Sequence, residues 1–171
     1  MAEIQFVAVA VVVFGGVAVS LVLLLRARGR RRRRPQVNTN RAGVAIDGYD
    51  PVAYFVDGRA RRGSSEVTMN WGGATWQFTD TEHRDAFAAD PARYVPAYGG
   101  YCAWAASRGK IAPVDPRAWH VENGRLFLNY NARLNRRFVE TSSDCIAAGD
   151  ASWPELRRRH LSPADPTDAD R

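Results

Sequence analysis

Cysteine is scarce in this chain, with two residues in 171, Cys102 and Cys145. That excludes a disulfide-dense secreted scaffold and a four-cysteine zinc module. Glycine and proline, 14 and 9 residues, are too few for a low-complexity chain. No phosphate loop, nucleophile elbow, zinc-protease helix or dinucleotide fingerprint is present. The Gly-Gly steps stand alone and build no phosphate cradle. The length suits one ordinary domain and is too short for two large catalytic lobes. A basic body is also missing. The net charge of +6 belongs to arginines 26, 28 and 30–34, and from Pro35 onward acids and bases balance. A nucleic-acid-binding domain carries its basic excess on the folded body, so no nucleic-acid partner is expected.

One long apolar run is present. Ile4 to Leu25 carries no charge, and its polar side chains are Gln5 and Ser20. As a helix it is ~33 Å long, enough for a ~30 Å hydrocarbon core. A cleaved signal peptide would have positive charge before the run and small residues after it. Here Glu3 precedes the run and the arginines follow it. The reading is a single-pass anchor over 4–25 in the lipid bilayer, with an Arg-rich juxtamembrane linker over 26–42. Arg26–Arg34 would lie near anionic headgroups. The positive-inside rule puts that flank and the domain in the cytoplasm, with a periplasmic domain as the alternative.

The folded domain is predicted over 43–158 and a disordered tail over 159–171, where prolines and acids accumulate. Strands are predicted over 66–71 and 74–78, joined by Gly72-Gly73, and over 119–122 and 125–129, joined by Asn123-Gly124. Asp50-Pro51 opens a helical turn, and Asp80 or Thr81 caps a helix to about Ala89. A short helix follows at 101–107, and the longest helix is predicted from Asn131 to about Ala148. Two hairpins packed with several short helices and one longer C-terminal helix make an α+β domain.

Five blocks carry a family resemblance. They are GYDPVAYF at 48–55, WGGATWQF at 71–78, with DPARY at 90–94, YGGYCA at 98–103, APVDPRAW at 112–119, and GRLFLNYN at 124–131 with DASWPEL at 150–156. Together they resemble the YHS domain, in its bacterial membrane-anchored (seleno)protein subgroup. The resemblance covers residues 43–156 and implies metal association. The commoner pattern puts two cysteines, four residues apart, at the start of the helix after the second strand. Thr79 and His83 stand at those positions here. Threonine is a poor soft-metal ligand, whereas a neutral imidazole is a competent one.

Cys102 is the leading candidate site residue. It follows Gly99-Gly100 at a predicted helix start, where free N–H groups and the dipole favour a thiolate. Tyr98, Gly99, Gly100, Tyr101 and Cys102 form the candidate ligand-binding segment, and Cys102 with His83 the candidate metal pair, for copper, zinc or iron. The ordinary reading of Cys102 is a small apolar core residue. Three functions follow. The first is a metal- or small-ligand-binding module centred on Cys102. The second is a thiol redox protein in which Cys102 is catalytic. The third is a non-catalytic interaction scaffold. The balance leans away from an enzyme. Asp50 and Asp115, each before a proline, are read as caps or turn formers.

Overall fold

The computed structural model describes residues 34–161. The anchor expected over 4–25 and the tail beyond Leu161 lie outside the described residues. Among the described residues no helix is long and apolar enough to cross a membrane.

The architecture is α+β, with two antiparallel hairpins and several helices. Strand β1, Ser64–Trp71, pairs with β2, Ala74–Phe78, with Trp71 opposite Ala74 and Met69 opposite Trp76. In β1, Val67, Met69 and Trp71 pack against the core, while Thr68 and Asn70 face outward. Gly72 and Gly73, at φ +62 and +71, supply the two left-handed residues of the tight turn. Strand β3, Asp115–Glu122, pairs with β4, Arg125–Asn129, across Asn123-Gly124. β3 starts four residues earlier than the alternation suggested. A register irregularity between Asp115 and Trp119 hides its period.

Helix α1 covers Ala53–Val56, α2 covers Thr81–Ala89 and α3 covers Pro91–Tyr94. Asp80 caps α2 by accepting the His83 N–H at 2.9 Å. Helix α4 covers Ala103–Ala106, α5 covers Ala132–Glu140 and α6 covers Ser142–His160. The single long helix expected over 131–148 is therefore two helices. Thr141 leaves helical geometry (φ −135°, ψ 37°), and its hydroxyl donates to the Arg137 carbonyl at 3.1 Å. The break lets Phe138 of α5 and Cys145 and Leu156 of α6 reach one apolar cluster. α6 continues past Gly149 and through Pro154, because packing against α4 and Tyr98 outweighs local propensity.

Of the segment expected as linker over 26–42, the described residues 35–41 are built into the domain. Val37 is buried. The Asn38 N–H donates to the Gly99 carbonyl at 2.7 Å, and the Ile46 N–H to the Asn38 carbonyl at 2.9 Å. The polar composition of 35–41 hides this, because several of its hydrogen bonds run through the backbone. At the other end Leu161 is also buried.

Two apolar clusters meet at β4. Leu126 and Leu128 pack with Trp76, Phe78, Phe87 and Val52, while Phe127 packs with Tyr98, Phe138 and Leu156. Strand alternation sends neighbours to opposite sides, so a strand buried on both faces reads as an unbroken apolar run.

Candidate functional site

The segment from Tyr98 to Cys102 contacts the chain itself. Gly99 has φ +59, and a Cβ there would sit 2.2 Å from the Gln36 carbonyl oxygen. The glycine thus admits backbone, one of the two uses that a Gly-Gly step allows. Tyr98 is buried and donates to Asp150 Oδ1 at 3.0 Å. Tyr101 is buried and donates to the Pro35 carbonyl at 2.9 Å. The Gly100 carbonyl accepts from Asn38 Nδ2 at 3.0 Å.

Cys102 sits at the N-cap of α4, which is only four residues long. Its own N–H donates to the Ala112 carbonyl at 3.0 Å, so that group is not free. The residue has 0% exposure. Its Sγ lies 3.8 Å from Oδ1 of the buried Asn129. Burial pushes the thiol up, and the backbone N–H groups of Ala105, Tyr130 and Trp104 only partly oppose it. A thiolate is disfavoured there. Asn129 is a hub that sequence reading missed. Its Oδ1 accepts the Trp104 N–H at 3.0 Å, and its Nδ2 donates to Asn135 Oδ1 at 2.9 Å.

His83 has different surroundings. Asp50 is fully buried, and its carboxylate lies within hydrogen-bonding distance of five polar groups, one of them the Thr79 hydroxyl that it shares with Asp80. Oδ1 accepts the N–H groups of Val52 and Ala53, at 2.8 and 3.3 Å. This is the cap that Asp50-Pro51 led one to expect. Oδ2 accepts the Thr79 N–H at 2.8 Å and lies 2.9 Å from Thr79 Oγ1. It also lies 2.6 Å from His83 Nδ1. A carboxylate only accepts, so the proton between them sits on Nδ1. Thr79 Oγ1 is 3.1 Å from the same nitrogen and 2.9 Å from Asp80 Oδ2. Thr79 and His83, the two positions where the YHS resemblance implies ligands, are therefore neighbours, and both turn toward Asp50.

His83 Nε2 makes no hydrogen bond among the described residues, and none of their buried polar side-chain atoms lacks a partner. Nε2 is the ring nitrogen turned away from Asp50, on a side chain 11% exposed. Nearby charges set the local field. Arg61 bonds Asp57 at 2.6 Å and holds that carboxyl below the usual range. The His83 N–H and Thr79 hydroxyl hold the Asp80 carboxyl low as well. The carboxylates of Asp50, Asp57 and Asp80, with the guanidiniums of Arg61 and Arg59, are the charges around the ring.

Two further residues of ligating type have partners of their own. His120 Nε2 pairs with Glu122 Oε2 at 3.0 Å. Cys145 is buried beside Thr141 Oγ1, at 3.4 Å. An open groove of about 850 Å³ is lined by Met69, Trp71, Ala88 and Pro91, and neither Cys102 nor His83 lines it. Among the described residues no three His, Cys, Asp or Glu side chains are grouped to hold a metal ion. No family model, curated protein or solved structure matches this chain.

Proposed function

We propose that this chain is a membrane-tethered, YHS-like binding module whose contact atom is His83 Nε2. Its ligand is a borderline divalent cation, such as zinc or copper, that completes its coordination with water or a second donor. The observation that carries the reading is the 2.6 Å approach of Asp50 Oδ2 to His83 Nδ1. A carboxylate behind the ring fixes the tautomer and aims the opposite lone pair outward, as it does behind metal-ligating histidines. The buried Cys102 sulfur and its raised thiol favour a core role for that residue. The versions centred on Cys102, ligand-binding or redox, have less support.

Zinc titration followed by NMR of the histidine ring carbons tests the proposal. The His83 signals are expected to shift saturably, and His83→Ala to abolish the binding. Shifts confined to His120 and His160, with His83 unmoved, would overturn it.

A further inference from the structure

The fold brings Arg34 beside a basic stretch far from it in sequence. Arg34 is the last residue of the arginine flank, and its N–H donates to the His160 carbonyl at 2.8 Å. Arg34 also forms a parallel bridge with Leu161. His160 ends α6, and the three residues before it are Arg157, Arg158 and Arg159. All three are exposed, as is Arg34. Glu155 pairs with both Arg158 and Arg159. Among the described residues, one carboxylate stands against these four guanidiniums at this end of the helix.

Cations in a last helical turn ordinarily complement the partial negative charge of the helix end. One or two suffice for that. Three in succession fan out around the axis by about 100° each, since a turn holds 3.6 residues. They ring the end of the helix rather than line one side of it. Such a ring suits a flat anionic surface met end-on, once Arg158 and Arg159 exchange Glu155 for headgroups.

We propose that the C-terminal end of α6, with Arg157, Arg158, Arg159 and Arg34, docks on the anionic headgroups of the bilayer. The inference rests on the reading of residues 4–25 as a span. The few residues between Leu25 and Arg34 cover at most roughly 30 Å of extended chain, so the patch stays within reach of the surface. The docked arginines extend the juxtamembrane flank onto the folded domain and orient the domain on the membrane. Arginines near such a surface attract it by about 1 kcal/mol each, or roughly fivefold per residue.

The test uses the full chain in nanodiscs of two compositions, phosphatidylcholine alone and phosphatidylcholine with phosphatidylserine. A gadolinium chelate on the lipid headgroups broadens nearby amide signals. The amides of residues 157–160 are expected to broaden at least ~fivefold more in the anionic discs. High salt should relieve the excess, and so should a combined Arg157→Gln, Arg158→Gln and Arg159→Gln variant with an otherwise unchanged amide spectrum. Equal broadening in both lipids, or an excess that survives in the variant, overturns the docking. Failure of the span shows separately, as loss of the chain from the neutral discs during gel filtration.

Discussion

Gly99→Ala separates the two uses of the Gly-Gly step before Cys102. Gly99 has φ +59, so any other L-residue there costs about 1–2 kcal/mol in backbone strain. The added methyl would also meet the Gln36 carbonyl oxygen at 2.2 Å and the Trp153 ring at 3.7 Å. A carbonyl on the main chain cannot swing aside as a side chain would. Relief needs residues 36–38 to move, which strains the 2.7 Å bond from Asn38 to Gly99. Overpacking of this kind costs about 1–3 kcal/mol. Gly58 is the control, because its φ is +63 and a Cβ there meets nothing within 4 Å. Gly58→Ala should therefore lose about 1–2 kcal/mol, and Gly99→Ala about 2–5 kcal/mol. Urea unfolding of the full chain in mild detergent, followed by tryptophan fluorescence, measures both. Equal midpoint shifts in the two variants would refute the packing of residue 36 against the step and reopen that space to a ligand.

Gly149→Ala is expected to destabilise the protein, although alanine ordinarily gains about 1 kcal/mol inside a helix. Its methyl would lie 2.5 Å from the Tyr98 hydroxyl oxygen and break the bond to Asp150, for a net loss of about 1–3 kcal/mol in the same assay. A stabilised variant would contradict this. Burial holds the phenols of Tyr54 and Tyr98 above the ordinary tyrosine range and pushes Tyr101 up to about 12. These folded-state values exceed the unfolded value of about 10, so their stabilisation is complete below about pH 10 and is lost as pH rises through the folded values. Unfolding free energies measured on either side of pH ~10 should fall on the alkaline side, and a flat profile would contradict the burial. Cys102 is expected to react with a thiol reagent only after unfolding, and labelling of the folded chain at the rate seen in urea would show an accessible sulfur.

The local signals gave the hairpins and the caps. Gly72-Gly73 and Asn123-Gly124 place both turns, and of the two candidate caps at the start of α2, Asp80 is the one that accepts the N–H; the short helix capped by Asp90 was not expected. The site was legible only in halves. Asp50 before Pro51 reads as a cap because Oδ1 acts locally, but Oδ2 serves residues 29 and 33 positions away, which no periodicity reports. His83, between Glu82 and Arg84, looks like a polar surface residue, yet it is 9% exposed because its ring covers that carboxylate. Asn129 ends a strand of apolar residues, and its role as a hub depends on Trp104 and Asn135. The break at Thr141 and the docking of 35–41 were hidden for the same reason: both follow from what the segments pack against.

Nitrogen-15 NMR of the His83 imidazole tests the central claim most directly. At a pH where the ring is neutral, Nδ1 should carry the proton and Nε2 should show the signal of a bare acceptor nitrogen. Asp50→Asn should weaken that preference. A wild-type ring with its proton on Nε2 would mean that Asp50 does not orient it, and the outward lone pair on which the binding proposal stands would be gone.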